Sequence, residues 1–348
     1  MKPKFLLFFL ALVLLSYAPT YSQSAADHFK SAMAASRAND LNLAIVEYSA
    51  VIQLEPANSM AYYNRGIIYQ KLQNTGLAIL DYSKAISLKP DYVSAYINRG
   101  NVYDTIKNVD LAIADYSKAI QLSPRNANAY FNRAVAYKLQ NKLAESLADY
   151  DRSIEIDPNV AKAYAQRGNV HASLTNWTAS IADFDRAVAM EPVAYKSLYY
   201  GLAWMNLNVG RDAAAYTAAT KSLEGEGIKS TRAGYSLVVG YLALLRQGKR
   251  AEAEAFIARY PRNEIAGVMP AKSVEFLRGE LKAEDLLAEA GNDKQKLTDA
   301  HSTIGARLLL DGKTDAARDH FKWVVTNGIK GPAAYALATV ELAKLDSK

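Results

Sequence analysis

The 348-residue chain contains no cysteine. This absence excludes disulfides, thiol nucleophiles, thiolate metal sites and a lipid-modified cysteine after a leader. Histidine is also scarce, with four residues dispersed along the chain. No phosphate-binding loop, activated nucleophile or metal-ligand spacing is recognisable in the sequence. We therefore expect no catalytic residues, no metal and no cofactor.

The sequence lacks a basic cluster, although its formal net charge is +6. Basic and acidic residues are equal in number between residues 25 and 192, and the small basic excess after residue 192 is scattered. Proteins that bind nucleic acids usually concentrate Lys and Arg on one face or stripe. We therefore expect no nucleic-acid partner.

The one marked apolar run is too short to span a bilayer. It extends from Phe5 to Tyr17, about 13 residues, whereas a transmembrane helix needs about 20. A short basic start precedes this run and small residues follow it, which is the three-part layout of a secretory signal. We predict that residues 1–24 are a signal peptide, cleaved on export to the periplasm or the medium. The alternative is an uncleaved leader that anchors the protein to the cell envelope.

A period of 34 residues dominates the rest of the sequence. Numbered from residue 25, most segments have tyrosine at positions 4 and 11, and all five have an aromatic residue at position 24 and small residues at positions 8 and 20. This spacing is typical of two amphipathic helices per segment, with the aromatic residues in the core. Proline at position 32 can end the second helix without removing an internal hydrogen bond. The recurring prolines are Pro56, Pro90, Pro124, Pro158 and Pro192.

The period divides the chain into regular and irregular parts. Five regular repeats fill residues 25–194, and weaker versions of the pattern predict two degenerate repeats over 195–260. Residues 298–348 are predicted to form another helix pair and a closing helix. Between them, residues 261–297 contain prolines and glycines that break the pattern, so we expect short helices that interrupt the regular stack.

The succession of aromatic, Gly, Tyr, Ala, aromatic and Pro over 34 residues resembles the tetratricopeptide repeat. Seven positions agree over five repeats, and the agreement is weaker further along the chain. The resemblance implies an all-α, right-handed superhelical solenoid with a concave groove. Because a single helix pair cannot bury its own apolar face, each repeat is stabilised by its neighbours. The resemblance also implies a protein or peptide partner rather than a substrate.

Position 6 of each later repeat carries an amide side chain, about 200° around the first helix from the aromatic residue at position 4. In the family that the pattern resembles, asparagines on this side hydrogen-bond the backbone of an extended peptide in the groove. An amide suits a peptide group because it both donates and accepts hydrogen bonds. The alternative is an ordinary solvated surface. The predicted groove residues are Asn64, Asn98, Asn132, Gln166, Asn101, Asn169, Asn128, Tyr63 and Phe131.

Arginine recurs at position 7, and aspartate recurs at position 23, in four successive repeats. The arginine lies about 300° from position 4 and borders the packed side of the helix. An unpaired guanidinium there would be costly, and its planar fork fits a carboxylate. We predict a structural ladder of ion pairs, within repeats or across their seams, with ligand binding as the alternative. Its members are Arg65, Arg99, Arg133, Arg167, Asp81, Asp115, Asp149 and Asp183.

The sequence thus predicts a non-enzymatic, exported adaptor or scaffold that binds an extended peptide or a partner protein in the groove. One alternative is an all-α envelope enzyme or polysaccharide-binding protein with its site in residues 261–297. Another is a scaffold that self-associates through the exposed ends of its repeats. A deep pocket with converging polar groups in 261–297 would favour the enzyme, and an open groove the adaptor.

Overall fold

A computed structural model describes residues 23–265, 268–330 and 333–347. Those residues form 19 α-helices and one 3₁₀ turn, and they contain no β-strand. The predicted all-α class, with adjacent helices paired as in a tandem-repeat solenoid, is confirmed. The chain divides into two compact units, residues 1–142 and 143–348. Nearly all of the predicted signal peptide lies outside the described residues.

The first unit consists of consecutive helices that pack in pairs joined by short turns. Its first helix begins after Ser24, whose side chain caps the helix by accepting a hydrogen bond from the Asp27 backbone N–H, while the Asp27 carboxylate accepts from Ser24 in return. The helices are α1 (Ala25–Arg37), α2 (Leu41–Leu54), α3 (Ser59–Lys71), α4 (Thr75–Leu88), α5 (Val93–Thr105), α6 (Val109–Leu122) and α7 (Ala127–Leu139).

The second unit begins with the remaining regular repeats and continues into helices of less uniform length, from 8 to 17 residues. Its first seven helices are α8 (Leu143–Ile156), α9 (Ala161–Ser173), α10 (Trp177–Met190), α11 (Leu198–Asn208), α12 (Asp212–Glu226), α13 (Ala233–Arg246) and α14 (Arg250–Ala258). A 3₁₀ turn (Arg262–Glu264) precedes α15 (Val268–Arg278), α16 (Ala283–Ala290), α17 (Lys294–Leu310), α18 (Thr314–Asn327) and α19 (Ala333–Asp346). In the described part of the chain, no helix combines the length and the apolar composition that crossing a membrane requires.

The turn inside each helix pair uses one residue with a left-handed backbone, at position 15 of the repeat. In the five regular repeats this residue has a side chain, with φ between 57° and 64°. In three later pairs it is glycine, which adopts this conformation without the steric cost of a Cβ atom. The residues are Asn39, Gln73, Lys107, Asn141, Thr175, Gly210, Gly248 and Gly312.

The core of each pair depends on a close approach between positions 8 and 24. A Cβ atom on Gly66 would lie 2.8 Å from the ring of Tyr82, and one on Gly305 would lie 2.7 Å from that of Phe321. Both rings are fully buried. The prediction that positions 4 and 11 are also core holds only in part. Tyr69 and Tyr103, at position 11, are half-buried and pack against the core, whereas Tyr62, at position 4, is half-buried beside the arginine. They flank the charged arginine described below, whose guanidinium lies at the edge of the packed region.

Candidate functional site

Helices α3, α5 and α7 are the first helices of three successive repeats. Hydrogen bonds between their predicted groove residues join one repeat to the next. The Asn98 amide donates to the Tyr63 hydroxyl oxygen at 3.1 Å. The Asn132 amide donates to Asn101 Oδ1 at 2.9 Å, and that oxygen also accepts a hydrogen bond from the Tyr116 hydroxyl at 2.8 Å. The amide at position 6 is therefore held by position 5 or position 9 of the preceding repeat.

These hydrogen bonds leave the asparagines less exposed than the sequence predicted. The prediction of freely exposed amides is wrong for Asn98 and Asn132, which are half-buried and bonded across a seam. Asn64 is also half-buried, yet its side chain makes no hydrogen bond with the described residues. The reason is local, since the preceding repeat offers Phe29 and Met33 at positions 5 and 9, and neither has a polar atom to pair with an amide.

The other predicted groove residues lie on the same sides of their helices. Asn128 is exposed on α7, where Phe131 is half-buried. Gln166 and Asn169 lie half-buried on α9, within the second unit. Their proposed contact with a peptide stays a prediction.

Aromatic rings stand beside the amides in the first unit. The Tyr63 ring centroid is 4.7 Å from that of Tyr92 and 5.9 Å from that of Tyr82. Burial raises the pKa of Tyr63, and it raises the pKa of Tyr92 to about 12. Both phenols are therefore neutral at pH 7. The surface offers aromatic area and neutral hydrogen-bonding groups.

The arginine at position 7 is held from four sides. Arg65 Nε and Nη2 donate to the two carboxylate oxygens of Asp81 at 2.8 and 2.9 Å, within the same repeat. Its Nη1 donates to the hydroxyl of Ser49, in the preceding repeat, at 2.8 Å. The guanidinium carbon lies 5.8 and 5.7 Å from the ring centroids of Tyr62 and Tyr69. Hydrogen bonding to Asp81 raises the pKa of Arg65, so the charge is fixed.

The arrangement recurs along the array. Arg99 bonds Asp115 at 2.8 and 2.7 Å and Ser83 at 2.9 Å. Arg133 donates to Ser117 at 2.9 Å in the first unit, and Asp149 is buried in the second unit.

In the second unit, Arg167 bonds both carboxylate oxygens of Asp183, at 2.9 and 2.6 Å. Its third bond, at 2.7 Å, goes to Asp151, which stands where the other repeats have serine. The described pairs therefore join arginine and aspartate within one repeat, and the bond across each seam goes to position 25. Sequence reasoning missed position 25, although its serines recur every 34 residues.

A cavity of about 670 Å³ lies in the second unit, and residues 276–281 of the irregular segment form part of its lining. Its lining includes Phe276, Leu281, Arg278 and Arg307. Arg307 donates to the Tyr241 hydroxyl at 2.6 Å and pairs with an aspartate one helical turn away. Arg278 donates to two backbone carbonyls at the end of α14. These two cations are thus bonded to the protein itself.

Comparison with known proteins identifies the repeat. Family profiles described as TPR repeat match residues 37–73 and 107–141, and those described as tetratricopeptide repeat match residues 59–92 and 127–160. All four segments lie within the five regular repeats. No curated protein matches the sequence.

Solved structures with similar folds include the following three. MamA from Desulfovibrio magneticus RS-1 is 19% identical, with 49% of this chain and 97% of that chain covered and a TM-score of 0.47. YrrB, described as a TPR protein with an unusual peptide-binding site, is 22% identical over 49% of this chain and 87% of its own, with a TM-score of 0.43. A tetratricopeptide repeat protein from Parabacteroides merdae ATCC 43184 is 16% identical over 92% of this chain and 99% of its own, with a TM-score of 0.46.

Proposed function

Because this chain is a tetratricopeptide-repeat protein, and such repeats form a protein-interaction scaffold, we propose that it is a non-enzymatic adaptor that binds an extended peptide segment. The binding surface, which we call the amide face, consists of positions 2, 5, 6 and 9 of helices α3, α5 and α7. The hydrogen bonds across its seams carry this proposal, since they fix the amide groups before any ligand arrives.

The amide face has no charged residue at any of its twelve positions. Its aromatic and aliphatic side chains alternate with amides, hydroxyls and a thioether. A charged ligand side chain would lose water there without gaining an opposite charge. The proposed partner segment is therefore uncharged, with apolar side chains and a backbone that pairs with the amides. The residues are Met60, Tyr63, Asn64, Ile67, Ser94, Ile97, Asn98, Asn101, Asn128, Phe131, Asn132 and Val135.

Asn64 offers the cleanest test of the amide face. An array of 12-residue peptides, probed with the mature protein, should favour uncharged sequences with apolar residues. For a peptide selected in this way, Asn64→Ala should weaken binding by about two- to tenfold, the equivalent of one hydrogen bond. The melting temperature should not change, because the Asn64 side chain makes no bond with the described residues.

Two variants control this experiment. Gln53→Ala removes an exposed side-chain amide from α2, away from the amide face, and should leave binding unchanged. Asn98→Ala removes a seam hydrogen bond, so it should lower stability by about 1 kcal/mol as well as weaken binding. Selection of charged peptides, or full binding by the Asn64 variant, would contradict the proposal.

We further propose that the protein acts outside the cytoplasm, supported by the signal-like layout of residues 1–24. Expressed with its leader in a bacterial host, the mature protein should begin between Gln23 and Ala26. Intact mass spectrometry measures this directly. A mass that still includes Met1 to Tyr17 would favour a membrane anchor instead.

A second candidate function rests on the cavity beside the irregular segment, because about 670 Å³ is within the range of small-molecule sites. It would make the second unit a binding domain for a small ligand such as an oligosaccharide. The test is a thermal-shift screen with soluble oligosaccharides. A stabilising ligand whose effect is abolished by Leu281→Trp would support this function, and no stabilisation by any of them would count against it.

A further inference from the structure

The arginine ladder ends where the sixth helix pair, α11 and α12, follows the regular repeats. Gly210 has the left-handed backbone of position 15, and Ala203 and Ala215 are fully buried as positions 8 and 20 are elsewhere. These three residues place the start of the sixth repeat at residue 196. The register of the preceding repeats is therefore shifted by one residue at this point.

With this register, the residues that replace the arginine site can be identified. Leu202 stands at position 7 in place of arginine, and Ala218 stands at position 23 in place of aspartate. Tyr199 keeps the tyrosine of position 4, and Asn206 replaces the aromatic residue of position 11. Asp185 occupies position 25 of the preceding repeat, which elsewhere accepts the hydrogen bond across the seam.

A cavity of about 300 Å³ lies at this place, and all five of these residues line it. The regular repeats fill the equivalent space with a guanidinium group. In the sixth repeat, leucine replaces the arginine that fills this space elsewhere, and alanine replaces the aspartate that pairs with that arginine. The remaining wall still has an acid, a tyrosine and an amide.

The acid of this cavity, Asp185, is exposed to solvent. It makes no hydrogen bond or ion pair with the described residues, whereas its counterpart Asp151 accepts from Arg167 at 2.7 Å. Partial desolvation raises the pKa of the Asp185 carboxyl, and the nearby charges of Arg211 and Lys221 oppose this shift.

Two further groups in the cavity can contact a ligand, one by accepting a hydrogen bond and one by stacking. Asn206 is 4% exposed and donates its amide N–H to the Leu202 carbonyl at 2.9 Å. Its amide oxygen makes no hydrogen bond with the described residues and can accept one. The Tyr199 ring offers the same surface that tyrosine offers to arginine in the regular repeats.

Lys221 is a cation of the protein that would compete with a cationic ligand for this cavity. Its ammonium lies 5.1 Å from the Tyr199 ring centroid and it also lines the cavity. The residue is exposed and makes no ion pair with Asp185. A cation that reaches the carboxylate can displace an exposed ammonium that makes no ion pair.

We propose that this cavity is a socket for a guanidinium group, supplied by an arginine side chain of a partner polypeptide. A guanidinium is preferred over an ammonium because its planar fork can bond Asp185 and Asn206 together while one face stacks on Tyr199. The socket belongs to the second unit and does not depend on the amide face.

The test is calorimetric titration of the mature full-length protein with N-acetyl-arginine amide. Binding with a Kd on the order of 1 mM is expected for a single side chain. The neutral isostere N-acetyl-citrulline amide should not bind. Asp185→Asn should weaken binding at least tenfold while melting normally, since Asp185 makes no internal bond, and Lys221→Gln should strengthen binding severalfold.

Glu224→Gln, which removes an exposed carboxylate from α12 outside the cavity, is the matched control and should bind as the wild type does. No detectable binding, equal binding of the citrulline analogue, or unchanged binding by Asp185→Asn would overturn the socket. A ten-residue peptide with one central arginine should bind more tightly than the single amino-acid derivative. Equal affinity would overturn the assignment to a polypeptide partner in favour of a free guanidine compound.

Discussion

Removing Arg99 should destabilise the protein mainly through the carboxylate it leaves behind. Asp115 is 5% exposed and accepts two charge-assisted hydrogen bonds from Arg99, so without them a buried charge loses its partner. Such a loss costs about 3 to 5 kcal/mol. Asp115→Ala should cost less, about 2 kcal/mol, because Arg99 keeps its bond to Ser83 and its position between two tyrosine rings.

The double variant should therefore be more stable than the sum of the single losses predicts, with a coupling of about 2 kcal/mol. Urea denaturation followed by circular dichroism measures the free energy of unfolding of each of the four proteins in the cycle. Arg99→Ala combined with Asp81→Ala is the matched control and should be close to additive, because Asp81 pairs with Arg65. Additivity with Asp115, or strong coupling with Asp81, would refute the assignment of pairs within single repeats.

Three other substitutions test conformational strain and charge burial. Thr175→Gly should stabilise the protein by up to about 1 kcal/mol, because a β-branched residue with φ 59° is strained; an unchanged or lower melting temperature would contradict this. The buried carboxyl of Asp299 has its pKa raised to about 6, so its stability contribution is lost as the pH rises from about 4 to about 6. Asp299→Asn should therefore gain about 2 kcal/mol at pH 7.5 and less than half of that at pH 4.5 in urea denaturation. Burial lowers the pKa of His301 to about 4, so stability is lost as the pH falls from 6.5 toward 4, and His301→Phe should flatten this limb.

The sequence predicted the helices well because one pattern, repeated five times, averages out local ambiguity. The contact between Gly66 and Tyr82 follows from that pattern alone, since a small and a large residue recur at facing positions. The half-buried position of Tyr62 did not follow, because helical spacing shows which side of a helix a residue occupies but not how completely neighbouring side chains cover it.

Bonds between repeats were harder to predict than bonds within them. The hydrogen bond from Asn98 to Tyr63 depends on the offset between successive first helices, which no periodicity within one helix reveals. The end of the ladder was not recognised for another reason. The sequence placed the sixth repeat near 196–229, but the replacement of arginine by Leu202 does not reveal that a cavity remains at that place.

Two kinds of hydrogen bond tie successive repeats of the first unit together. Arg99 reaches the preceding repeat through Ser83, and Asn98, one position earlier in the same helix, reaches it through Tyr63. Asn98 and Arg99 are adjacent in α5, and both are bonded to the preceding repeat. The position of α5 relative to α3 is therefore constrained at the amide face. A ligand that binds there meets amides already oriented, so less conformational entropy is lost on binding. If the amide face binds a peptide as proposed, the ladder contributes to that binding by holding the asparagines in register.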